Sequence, residues 1–375
     1  MIEFRLLDQF ESHFRSKGRI FSSPGRINVI GEHTDYNQGF VLPSIIKQKF
    51  YVVMAKRGGL DPFPIVRILS SQSNEIVEFN LFTPPPKPWM KYFWGVIKEM
   101  MKREREISSI DVLIYSDIPV GAGVSSSAAL CSAFGLALNG IFNLGFSNLE
   151  LAKIGQDTEH NYIGVKCGLM DQFASLFGKK GSFLKLDCQS LDFEYIPFDY
   201  PEISILLFNS RVKHNLAASE YNLRRDSCER VVDVLKFNYP NIQSLRDVLL
   251  IDLMNSQNFI DEIDFKRALY VLEENQRVLN LCESLKNGDI SSLGTLLLAS
   301  HEGLSKQYEV SCSELDYLVE SAYNSPGIIG ARMMGGGFGG CTINFVKSEL
   351  KEQFVENMCT QFEKKYLKTA IYYDI

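Results

Sequence analysis

Apolar and polar positions change rhythm part-way along this chain, and the change predicts its organisation. In the first half, short apolar or β-branched runs at 50–55, 65–69 and 76–79 are bounded by Gly, Pro, Ser and Asn, which predicts strands. Residues 83–88, Thr-Pro-Pro-Pro-Lys-Pro, form a stiff loop that can be neither helix nor central strand. A helix is expected over 89–105, a strand over 110–115, and strongly apolar or amphipathic helices over 128–142 and 148–162.

After Cys188 long amphipathic helices dominate. A strand at 203–209 precedes them, and the clearest helix spans 263–285, with Phe265, Leu269, Leu272, Leu279 and Cys282 at three-to-four-residue spacing. Further helices are expected at 290–305 and 312–323, and a strand at 342–346 directly after a glycine run. No internal repeat is present. The pattern predicts an α+β protein in two lobes, residues 1–188 and 189–375.

Composition narrows the function classes. The 375 residues suffice for two domains and a large core, since single cores stop growing near ~250–300 residues. A net charge of −6 offers no broad basic surface for nucleic acid or anionic lipid. No signal-peptide core and no apolar run near the ~20 residues of a membrane span is legible. Eight scattered cysteines without zinc spacing read as reduced thiols, so a cytoplasmic, soluble protein is expected.

The chemistry concentrates in four segments. Residues 25–37 bring Glu32, His33, Thr34, Asp35 and Tyr36 together behind Gly31, with Arg26 six positions before Glu32. A solvated turn would explain an arbitrary polar pentad; a permanent cation beside carboxylates points instead to a polyhydroxylated ligand and phosphoryl chemistry. Residues 119–129 contain Gly121, Ala122, Gly123, Val124, Ser125, Ser126 and Ser127 between a strand and a helix. One serine would serve as a helix cap, whereas three behind two glycines favour a phosphate loop, although no Walker lysine follows. Residues 164–172 place Asp171 beyond a glycine-bounded turn, and Glu159 lies twelve residues earlier on the helix; neither is decisive alone. Gly335, Gly337 and Gly340 satisfy GxGxxG, yet a helix is expected before them and a strand after, the reverse of the dinucleotide order.

Together these segments resemble the galactokinase branch of the GHMP small-molecule kinases. Further matches are Trp89 with Tyr92 and Gly95-Val96, and residues 167–172, 209–225, 308–318 and 330–341, in the family's order over nearly the whole chain. The resemblance implies a two-lobed GHMP kinase fold with its active site in the cleft between lobes, and phosphorylation of α-D-galactose by ATP. It implies that Glu32, His33, Thr34, Asp35, Gly168 and Tyr221 bind sugar, that Gly121 to Ser127 wrap the ATP phosphates, and that Trp89 flanks the adenine. Ser127 and Glu159 would hold Mg²⁺, Asp171 would face the anomeric hydroxyl, and Arg26 would stand beside it. A monomer acting on small molecules is implied. A kinase for N-acetylgalactosamine or arabinose, and a non-catalytic sugar and ATP sensor, are the competing readings. Three departures stand out: Val124 where Leu or Met is usual, Met334 where Thr is usual, and Ile45-Ile46-Lys47 where a small-apolar-acidic sequence is commoner.

Overall fold

The computed structural model describes residues 2–58, 63–119, 121–212 and 217–375. Val120 of the expected phosphate loop and 213–216 of the matched segment 209–225 lie outside the described residues. The chain opens with α1 (Ile2–Phe14), β1 (Arg19–Asn28), β2 (Phe40–Val41), β3 (Pro43–Lys56), β4 (Ile65–Ser70) and β5 (Ile76–Asn80). Next come α2 (Met90–Lys102), β6 (Ile110–Ser116), α3 (Ser126–Phe142), α4 (Asn148–Thr158) and α5 (Met170–Phe177). Strands β7 (Ser182–Asp187), β8 (Phe193–Pro197) and β9 (Ile203–Asn209) follow, then α6 (Ala217–Lys236), α7 (Leu250–Asn255), α8 (Glu262–Lys286), α9 (Leu293–Lys306) and α10 (Ser313–Tyr323). The chain finishes with the hairpin β10 (Ile328–Met334) and β11 (Cys341–Lys347), α11 (Lys351–Tyr366) and β12 (Ile371–Asp374).

These elements form two compact units. The first comprises Met1–Arg26, Ile45–Pro119 and Ser125–Phe177. Its sheet has the order β1-β3-β6-β4-β5, with β4 parallel to β6 and antiparallel to β5. Residues 50–55 of β3 are buried throughout, as their unbroken apolar run requires of a central strand. Leu6 and Phe10 of α1 pack on Tyr51, Val53, Leu69 and Leu113. Helix α3, apolar nearly all round, packs against α2, α4 and α5. Ser147 and Glu150 form a reciprocal capping box that starts α4. At its far end α4 passes into a π turn, Glu159–Ile163, closed by the amide of Gly164 on the carbonyl of Glu159 at 2.8 Å.

The second unit comprises Ile27–Ser44, Val120–Val124 and Gly178–Ile375. It contains the antiparallel sheet β10-β11-β9-β12 and a small sheet β2-β7-β8. One core joins α6 and α8 through residues such as Val231, Val271 and Tyr308; another sets Phe354, Met358 and Phe362 of α11 against Leu206, Phe208 and Ala331. Those three α11 residues recur every four positions, a spacing that would have predicted the helix. The partition is not a single cut at residue 188. Ile27–Ser44 joins the later chain because Arg332 binds the carbonyls of Asn28 and Val29, both at 2.7 Å, and Glu274 binds the amide of Gly31 at 2.9 Å.

The glycine run also differs from expectation. Strand β10, not a helix, leads into it, and β10 pairs with β11 from Met334↔Cys341 to Ile328↔Val346. The pairing partner imposes the strand on Gly330-Ala331-Arg332-Met333-Met334, whose own β preference is weak. The dinucleotide fold stays excluded, because a strand still follows the glycines. No helix among the described residues is long and apolar enough to cross a membrane.

Helix α9 meets β10 closely at one point, where a Cβ on Gly294 would lie 2.2 Å from the carbonyl oxygen of Ile329. A backbone oxygen cannot step aside like a side chain. Gly294→Ala should therefore destabilise by about 2–3 kcal/mol in urea unfolding. Gly135→Ala, where the nearest atom would lie 3.5 Å away inside α3, should instead stabilise or leave unfolding unchanged.

Candidate active site

In the first unit, β1 delivers Arg26 and the start of α5 delivers Asp171, residues 145 apart in sequence. The guanidinium meets the carboxylate fork to fork: Nε donates to Oδ1 at 2.7 Å and Nη2 to Oδ2 at 2.8 Å. Arg26 is buried, while the Asp171 side chain keeps 28% exposure, so the pair is rigid on one side and open on the other. Ser125 also donates to Oδ2 of Asp171. The expected anonymous or capping Asp171 is thus the centre of a three-residue cluster.

A second carboxylate stands behind it. Glu159 is buried at the π turn, hydrogen-bonded with Ser127 and Cys167. Burial first, and then the negative charge of Asp171, raise its pKa to about 7. Ser127 also hydrogen-bonds with Tyr92, whose phenol burial and the Glu159 charge push upward. A hydroxyl oxygen beside a buried carboxylate under like-charge stress fits a hard divalent cation that completes its coordination with phosphate oxygens. Among the described residues no group of three or more His, Cys, Asp or Glu could hold a metal ion. Ser126 is exposed at the first position of α3, and Trp89, 36% exposed, flanks the start of α2 edge-on to Phe93. Gly168 is buried three residues before Asp171.

In the second unit the polar segment is not a solvated turn: Glu32, His33, Thr34 and Asp35 are all buried. Glu32 Oε1 accepts from Arg332 Nη2 at 2.9 Å and from the amide of Gly335 at 2.8 Å. The hydroxyl of Thr34 lies 2.9 Å from the carbonyl of Gly31 and 2.7 Å from that of Phe40, so it closes the turn. Asp35 Oδ1 accepts from the amide of Tyr36. Gly121 and Gly123 adopt φ of +76° and +71°, angles closed to most residues, which keeps the loop backbone exposed. A Cβ on Gly123 would lie 3.6 Å from the carbonyl of Met334. Ala122 and Val124 are buried and anchor the loop.

His33 is held on several sides by its neighbours. Its backbone is left-handed at φ 61°, and its ring packs among Tyr36, Tyr221 and Tyr308. Burial lowers its pKa to about 4, so the ring is neutral at pH 7. Nε2 lies 3.1 Å from the carbonyl of Gly336, which can only accept, so Nε2 carries the proton. Nδ1 therefore accepts from the Tyr36 hydroxyl at 2.7 Å, which accepts from Tyr308 at 2.8 Å. Tyr308 accepts in turn from the Cys228 thiol at 3.2 Å, and Asn37 bridges Cys228 back to the carbonyl of His33. One carbonyl thus orders every proton in a closed ring. Both ring nitrogens of His33 are engaged by protein groups, one of them in the third glycine motif. Arg332, Tyr308 and Asn37 were not singled out from sequence as site residues.

Comparison with known proteins decides the family. Models described as galactokinase galactose-binding signature, GHMP kinases N terminal domain and GHMP kinases C terminal match residues 8–56, 91–179 and 281–364. A galactokinase of Thermotoga neapolitana is 40% identical over 353 residues, covering 94% of this chain and 96% of that protein. One of Fusobacterium nucleatum is 39% identical over 375 residues, covering 98% and 96%. The chain belongs to the galactokinase family of GHMP kinases. The crystal structure of Lactococcus lactis galactokinase complexed with galactose has a TM-score of 0.93 and 33% identity, covering 100% of this chain and 97% of that one. A Methanococcus jannaschii mevalonate kinase, at 18% identity and a TM-score of 0.63, shares the GHMP fold alone.

Neutral His33 couples this region to pH. The folded ring resists a proton down to about pH 4, whereas the unfolded ring binds one below about 6.5, so the unfolded state holds more protons in between. Stability present above pH 6.5 is lost as pH falls towards 4. Between pH 7.5 and 5.0 the wild type should lose about 2 kcal/mol more unfolding free energy than His33→Asn, which tolerates the left-handed backbone. Equal losses in urea titrations would show that His33 does not titrate in this way.

Proposed function

We propose that the chain transfers the γ-phosphoryl group of ATP to the anomeric hydroxyl of α-D-galactose, forming galactose 1-phosphate and ADP. The observation that carries the chemistry is the forked Arg26–Asp171 pair with its carboxylate part-exposed. A sugar hydroxyl is a weak nucleophile until its proton has a destination, and Asp171 supplies one as the oxygen attacks phosphorus. Arg26 spends Nε and Nη2 on that carboxylate, which supports a role in orienting the base.

Glu32, His33, Thr34, Asp35 and Tyr221 form the sugar site in this reading, with Gly168 near Asp171. A pocket of fixed polar groups rejects a sugar lacking the matching hydroxyl far better than an apolar one. Gly121, Ala122, Gly123, Val124, Ser125, Ser126 and Ser127 enclose the phosphates through backbone amides and the open N-terminus of α3, and Trp89 flanks the adenine. Ser127 and Glu159 hold Mg²⁺, which when bound neutralises charge on the phosphate oxygens. The protein acts as a monomer in the cytoplasm, in keeping with eight cysteines that form no disulfide.

Coupled measurement of ADP release over a panel of galactose, N-acetylgalactosamine and arabinose tests the substrate, with galactose expected to give the highest kcat/KM. Ligand-dependent stabilisation without turnover on any sugar would favour a sensor. Asp171→Asn should lower kcat by about 10³-fold or more with ATP binding retained, and near-normal turnover would remove Asp171 as base.

A further inference from the structure

Ser125 occupies the N-cap of α3, the position at which a serine hydroxyl ordinarily binds the helix's own amides. Here it makes no such bond. Its backbone is left-handed at φ 55°, a conformation that a serine adopts at a cost, and its hydroxyl is turned onto Asp171 Oδ2. The result is twofold. The first amides of α3 are left for an anion, and the base acquires a third donor.

A carboxylate offers about four in-plane acceptor directions, two on each oxygen. Arg26 Nη2 and Ser125 fill those on Oδ2, and Arg26 Nε takes one on Oδ1. We propose that Ser125 is a positioning residue that, by saturating Oδ2, leaves Oδ1 of Asp171 as the oxygen that receives the substrate proton, and so links the phosphate loop to the base. This rests on the kinase reading, with Asp171 as base. Because Ser125 ends the loop that encloses the phosphates, the loop conformation that binds nucleotide is also the one that orients the acceptor. The strained backbone is the means: an ordinary capping conformation would aim the hydroxyl at the helix and leave one acceptor direction on Oδ2 of Asp171 unfilled.

Two variants separate this role from phosphate binding. Ser125→Ala removes the hydroxyl, and Ser125→Gly removes it while relieving the left-handed backbone, so a folding defect in the first does not reach the second. Both should lower kcat about 10- to 100-fold, with the KM values for ATP and sugar within about threefold of wild type, as loss of an interaction felt in the transition state requires. An unchanged kcat, or a raised KM for ATP at steady kcat, would overturn the assignment and make Ser125 a phosphate ligand only. Urea unfolding of Ser125→Gly, Asp171→Asn and the double variant gives a readout independent of turnover. Non-additive effects are expected; additive ones would overturn the link even if the protein proved inactive on every sugar, an outcome that would count against the kinase reading alone.

Discussion

The second unit is organised around one buried cation. Arg332, with no exposure, spends its guanidinium on the carbonyls of Asn28, Val29 and Met333 and on the carboxylate of Glu32. A guanidinium without partners in such a place would cost several kcal/mol, so each acceptor is obliged to stay where it is. Three of the four belong to residues 28–32, far away in sequence, and the fourth precedes the glycine run. Glu32 in turn holds the amide of Gly335. The polar signature and the third glycine motif are therefore one electrostatic object, and neither can relax without stranding a charge.

The first unit handles charge differently. Asp171 is compensated by a forked arginine and a serine, and remains part-exposed; Glu159 is buried with like charge nearby and no lysine among the causes that shift it. Burial and the nearby Asp171 charge push the Glu159 carboxyl up to about 7, whereas Asp171 keeps a part-exposed side chain in its fork.

Much of this was legible in the chain, and the reasons differ by residue. Strands 50–55, 65–69 and 110–115 and the long helix α8 announced themselves because burial imposes a period on apolar residues. Strand β10 did not, since Gly330, Ala331 and two methionines take their conformation from β11. At the candidate site, the family resemblance singled out Arg26, Asp171, Ser127 and Glu159, but not who bonds to whom. That His33 would clamp a carbonyl and Ser125 would abandon its helix depends on left-handed backbones, which side-chain identity does not announce. Arg332 was hidden for the opposite reason: a lone arginine in a strand reads as surface until its burial is known.

The π turn at Glu159–Ile163 has a further meaning. One residue more than an α-helical turn requires rotates the chain beyond it by roughly 100° about the helix axis. His160 thereby meets the carbonyl of Cys167 at 2.7 Å and Asn161 reaches Glu99 at 3.0 Å. A substitution here alters one contact, whereas a single-residue deletion would keep nearly every side chain and misdirect them together. What lineages must inherit in this stretch is a residue count as much as an alphabet, and insertions and deletions between Glu159 and Asp171 should be the changes natural selection tolerates least.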